Sequence, residues 1–133
     1  MAISTDDYVA ISQLLGEYCW HVDRGDEAAW TALWTPDGKF SGLGEQPLVG
    51  HEQLAVIPRN SLNSGQGKLR HLVANLHARY GDSTDTIHAR LYNYVTNWAK
   101  GGAPVVLADC EMVLIKVGAS WMVKSNAATM LSA

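Results

Sequence analysis

With 133 residues, 47% of them apolar and 17% charged, the chain has the size of one domain and can enclose a substantial core. A formal charge of −3 and ten Lys and Arg in all, dispersed along the sequence, argue against an electrostatic nucleic-acid surface, which needs clustered cations to release counterions. Met1 to Asp7 is acidic where a secretion signal is basic, and no apolar run approaches the ~18 residues of a membrane span, so a cytoplasmic protein with no membrane partner is expected.

Residues 5 to 23 place Tyr8, Ile11, Leu14, Leu15, Tyr18 and Val22 at three- and four-residue intervals, the stripe of an amphipathic helix opened by a Ser4 or Thr5 cap and ended at Gly25. Asp26 and Glu27 put acids where a second short helix begins, and Ala28, Ala29, Trp30, Leu33 and Trp34 continue it to Pro36. Pro36-Asp37-Gly38 reads as a turn. Short strands follow over Lys39 to Leu43 and Gln46 to Val49, then a third helix from Gly50-His51-Glu52, interrupted or ended by Pro58. Long strands are predicted over Arg70 to Tyr80, Thr86 to Ala99 and Pro104 to Val117, and another over Ser120 to Asn126. Gly81-Asp82-Ser83, Gly101-Gly102 and Gly118 supply the turns between them. Helices first and strands last imply an α+β layout with an antiparallel meander. No linker or repeat divides it, so one domain over residues 1–133 is expected. Cys19 and Cys110 lie far apart, with no CxxC and no His at ligand spacing, and read as reduced core thiols rather than a disulfide or zinc site.

Three stretches together carry a resemblance. They are Tyr18-Cys19-Trp20-His21-Val22-Asp23-Arg24-Gly25-Asp26 running into Trp30-Thr31-Ala32-Leu33-Trp34-Thr35-Pro36-Asp37-Gly38; Val49-Gly50-His51-Glu52; and Arg70-His71-Leu72-Val73-Ala74-Asn75. In this order they resemble the SnoaL-like branch of the nuclear transport factor 2-like superfamily. The resemblance implies a cone-shaped α+β barrel, with N-terminal helices packed in the concave face of a curved, mainly antiparallel sheet. It also implies a small-molecule pocket and a homodimer or higher homo-oligomer formed through the open sheet face. The chain looks most similar to the scytalone dehydratase, bile-acid dehydratase and dehydrochlorinase types, which use an Asp ending the first helix and a His opening the third strand. Asp23 and His71 occupy those positions here. Tyr18 matches a pocket tyrosine of the dehydratases, and further polar residues of theirs fall near Tyr92 or Tyr94. An acid used there by bile-acid dehydratase has no obvious counterpart.

The residues by themselves leave two readings of Asp23. A carboxylate in the last turn of a helix is disfavoured by a few tenths to ~1 kcal/mol, so Asp23 either begins a solvated Asp-Arg-Gly-Asp turn or finds a donor. A histidine donating Nδ1–H would be that donor, and the contact would fix the tautomer that leaves Nε2 as a general base. Period-two alternation sends His71, Val73, Asn75, His77 and Arg79 to one side of their strand. His77 lies ~20 Å beyond His71 along an extended chain, so the two cannot share a metal, and no metal set or cofactor is expected. On the next strand His88, Arg90, Tyr92, Tyr94, Thr96 and Trp98 share a face. Tyr92 and Tyr94 are pocket phenols if that face turns inward, or packing and dimer contacts if it turns outward. Trp30 and Trp34 are candidate pocket walls, and Met112, Met122 and Met130 adaptable ones. Of Ser125 and Asn126, opposite parity lets one face inward; Asn126 is the candidate.

The implied function is a cofactor-independent lyase acting on a hydrophobic cyclic or aromatic small molecule, by dehydratase-like elimination or retro-aldol cleavage. His71 would abstract a proton, Asp23 would hold the imidazolium, and Tyr18 with Tyr92 or Tyr94 would polarise a carbonyl or hydroxyl. An isomerase or polyketide cyclase would use the same base, and a non-catalytic binding or assembly subunit would need none.

Overall fold

The computed structural model describes residues 2–131; Met1, from the acidic opening, and Ser132 and Ala133 lie outside the described residues. Helix α1 (Thr5–Asp23) is capped by Ser4, whose side chain accepts from Asp7 N–H, and it buries Ile11, Leu14, Leu15, Tyr18, Cys19 and Val22. Gly25 follows in the left-handed region at φ +67°, where a residue without Cβ meets no penalty. Helix α2 (Glu27–Thr31) is capped by Asp26 and is shorter than its sequence pattern. Trp34 belongs instead to strand β1 (Trp34–Ser41). Trp30 and Trp34 are both fully buried, so their spacing of four suited a helix, but pairing of Trp34 with Val123 decides for a strand. Pro36-Asp37-Gly38 forms a register irregularity inside β1, not a turn between elements.

After β2 (Leu48–Val49), helices α3 (His51–Leu54) and α4 (Val56–Ser64) replace the single predicted helix. Pro58 neither interrupts nor ends α4. It lies in that helix's first turn, where the missing N–H has no intrahelical partner to lose. Strands β3 (Leu69–Tyr80), β4 (Thr86–Asn97), β5 (Ala103–Val117) and β6 (Ser120–Met130) form the long meander, with a 3₁₀ turn at Trp98–Lys100 ending β4 earlier than predicted. The strand order is β2-β1-β6-β5-β4-β3. All neighbours are antiparallel except β1 and β6, which run parallel. The curved sheet is therefore not closed into a barrel: β2 and β3 are its two edges. α1 packs against β3, β6 and α4, and the core lies between that helix and the inner face of the sheet. No helix among the described residues is long and apolar enough to cross a membrane.

Which side chains reach that inner face depends on one bulge. In β3, Ala74 pairs with Tyr92 and His77 with Arg90, so one extra residue is inserted and Asn75 takes φ +60°. The parity of the strand flips there. His71 and Val73 share the inner side with Leu76, Ala78 and Tyr80, whereas Asn75, His77 and Arg79 are exposed. Strict alternation placed His71 and His77 on one face; the bulge puts them on opposite faces. β4 presents Ile87, Ala89, Leu91 and Val95 to the core, so the face bearing His88, Arg90, Tyr92 and Tyr94 is the outer one.

Candidate active site

A cavity of about 490 Å³ opens between α1, α4, β1 and the inner face of β3–β6. Its walls are mainly apolar, including Val22, Phe40, Ile57, Leu69, Val95 and Met130, with Tyr18, Gln46, His71, Asn93 and the α4 residues Asn60, Ser61 and Ser64 as polar groups. Such a balance suits a largely apolar small molecule oriented by a few polar contacts.

Asp23 and His71 meet at the wall of this cavity. His71 Nδ1 lies 2.7 Å from Asp23 Oδ1, and the backbone N–H of His71 also donates to the same carboxylate, at 3.0 and 3.3 Å. Hydrogen bonds to a charged acceptor contribute ~1.5–3 kcal/mol each. Two donors therefore outweigh the ~0.3–1 kcal/mol penalty of a carboxylate at a helix C-terminus. Both side chains are nearly withdrawn from solvent, at 11% and 10% exposure, which keeps the interaction from being screened. With Nδ1 committed to Asp23, Nε2 is the ring nitrogen left to the cavity.

Tyr18 lines the cavity from α1. Asn126 Nδ2 donates to its hydroxyl oxygen at 3.2 Å, so the phenolic proton is free for another acceptor. Burial pushes the Tyr18 hydroxyl well above its ordinary value, and the group is a neutral donor across the working pH range. Cys110, another wall residue, is pushed up to about 11 by burial and is likewise neutral. Cys19 and Cys110 are both buried and unbridged.

A SnoaL-like domain model matches residues 4–126. The chain belongs to the SnoaL-like domain family. No curated protein matches it. Solved structures resemble it over almost its full length. The protein Aln2 from a Streptomyces species superposes with a TM-score of 0.87 at 20% identity, covering 98% of this chain and 94% of that one. ActVI-ORFA from Streptomyces coelicolor gives 0.82 at 18% identity, covering 93% and 97%. A protein of Novosphingobium aromaticivorans provisionally named scytalone dehydratase gives 0.81 at 14% identity, covering 95% and 85%. At these identities the likeness is one of fold.

Within this SnoaL-like frame the remaining candidates separate. Trp30 and Trp34 do not line the cavity. They stand behind Tyr18, with ring centroids 5.2 and 6.1 Å from its ring, and support it by aromatic packing worth ~0.5–1.5 kcal/mol per pair. Asn126 is buried and acts on the cavity through Tyr18. Tyr92 and Tyr94 do not join the site, because Leu91, Asn93 and Val95 hold the inner positions of β4 and these phenols project from the opposite side of the pleat. Sequence reading missed Asn93, which the inner face of β4 brings to the cavity between Leu91 and Val95. A lone amide inside an otherwise apolar alternation was the available signal. His51, in the Val49-Gly50-His51-Glu52 stretch, has its Nε2 3.0 and 3.1 Å from the Trp34 and Thr35 carbonyls and ties α3 to β1.

Proposed function

We propose that this SnoaL-like protein is a cofactor-independent lyase that takes a proton from carbon in a hydrophobic cyclic or aromatic small molecule. The family includes polyketide cyclases and dehydratases, and both begin by making an enolate or its equivalent. The observation that carries the reading is the 2.7 Å contact between His71 Nδ1 and Asp23 Oδ1 at the wall of an apolar cavity. Neutral His71 accepts the proton on Nε2, and Asp23 offsets the imidazolium charge that results. Tyr18 donates its O–H to the oxygen that gains negative charge, either a carbonyl becoming an enolate or a departing hydroxyl. The electron pair from the broken C–H bond forms the new double bond as the C–O bond breaks, and the leaving hydroxyl takes the proton held on His71 Nε2 and departs as water; in retro-aldol cleavage the same base takes a hydroxyl proton, the C–C bond pair passes to the enolate, and that proton returns to it. Apolar walls and near-complete burial of the pair strengthen these interactions relative to water.

The test is metabolite profiling of cell extracts incubated with wild-type protein, His71→Ala and Asp23→Asn in deuterated water. The wild type is expected to convert a compound to a product lighter by one water or one small aldehyde, and both variants to leave it untouched. Wild-type turnover undiminished in both variants would overturn the proposal.

A further inference from the structure

Asn93 is a polar residue without a role in that proton transfer. It sits mid-strand in β4, flanked on the inner face by Leu91 and Val95, both buried, and paired across the sheet with Val73 and Ala108. These four neighbours, along the strand and directly across the sheet, are apolar. Its Oδ1 is buried without a hydrogen-bond partner, and the residue lines the cavity. An amide placed so forgoes the hydrogen bonds it makes in water, and a valine would occupy the position without that loss. The register puts it beside the base: His71 is opposite Val95, which makes Asn93 the diagonal neighbour of His71, at a backbone spacing of ~7–8 Å from which side chains converge. Rotation about the last side-chain bond turns either end of the amide toward the cavity, so the group can both accept and donate.

We infer that Asn93 is the substrate-orienting residue of this cavity, and that the ligand class is a hydroxyl-bearing ring compound whose hydroxyl bonds the Asn93 amide. The identity of the carbon presented to His71 rests on the proton-abstraction reading; the hydroxyl recognition does not. A hydroxyl can bond whichever end of the amide faces the cavity, as donor to the oxygen or acceptor from the nitrogen, whereas an unsubstituted ring leaves that end unpaired. The aliphatic walls beside it, Val22, Leu69, Val95 and Val106 among them, accept the ring itself.

The experiment compares the dissociation constants of 2-naphthol and naphthalene by equilibrium dialysis against the wild-type protein, Asn93→Val, Asn93→Ser and, as an outer-face control, Tyr92→Phe, with thermal melting as the check on folding. The wild type is expected to prefer 2-naphthol. Asn93→Val is expected to reduce that preference by about 3- to 10-fold while melting no lower than wild type, Asn93→Ser to reduce it in part, and Tyr92→Phe to keep it. Because no turnover is measured, failure of the general-base reading leaves this outcome unaffected. A preference absent from the wild type, or kept by the folded Asn93 variants, would overturn the inference.

Discussion

Asp23 and His71 come together because the last turn of α1 lies across the start of β3. The carboxylate then takes the backbone N–H of His71 as well as its ring. The backbone bond matters as much as the side-chain one, since it pins the strand to the helix end and leaves the imidazole one direction in which to point.

On the substrate found by profiling, His71→Ala is expected to lower kcat/KM by ~10²- to 10⁴-fold, the usual contribution of a positioned base. Asp23→Asn removes the charge that stabilises the imidazolium and should lose activity in the same range. The double variant should be little worse than the weaker single one, because the two residues act as a unit. Steady-state kinetics on all three checks this; losses that multiply would mean that the residues work independently.

Tyr18→Phe deletes the acceptor of the Asn126 amide and leaves a second buried group of that residue unpaired, its Oδ1 already having no partner. Urea unfolding should show a loss of ~1–3 kcal/mol. Adding Asn126→Leu should recover much of it, since removing both partners is far cheaper than removing one. If the double variant is less stable than Tyr18→Phe by a further full increment, the two side chains do not depend on one another.

Asn75 holds the bulge that inverts the parity of β3. Asn75→Gly should be neutral within a few tenths of a kcal/mol, because glycine adopts φ +60° freely. Asn75→Val forces a β-branched residue into the left-handed region and should cost ~1–2 kcal/mol. Equal denaturation midpoints for the two variants would contradict a left-handed residue at this position.

Asp7 accepts from the Tyr80 hydroxyl and from Trp121 Nε1, and the Tyr80 bond, the largest cause, holds its carboxyl below the ordinary value of 3.8. The folded state thus binds fewer protons there than the unfolded one. The stabilisation is complete above the ordinary carboxylate range and disappears as pH falls through the lowered folded value. Asp7→Asn should therefore be less stable than wild type at neutral pH, with the difference shrinking as pH drops below about 4. Thermal melting of both proteins across that range measures it, and a gap that widens in acid would reverse the assignment.

Much of the architecture was written locally. Ser4 and Asp26 are caps whose hydrogen bonds span three residues, the apolar stripe of α1 follows the helical period, and the long β-rich segments bounded by glycine turns could only become a meander. Asp23 and His71 were legible through the stretches around them that resemble the SnoaL-like family; the helix-end carboxylate alone left a solvated turn open as well.

What the sequence could not decide was which side of each strand would be inside. Period two gives two faces but no label for them; the label comes from the surface that α1 covers and from bulges, which cost one residue and reverse everything beyond them. That is why His77 left the face of His71, why Tyr92 and Tyr94 turned outward, and why Asn93, an unremarked amide between two aliphatic residues, became part of the cavity. The local chain determined elements and caps through short-range hydrogen bonds and periodicity, whereas the cavity exists through register between strands distant in sequence, which no window along the chain contains.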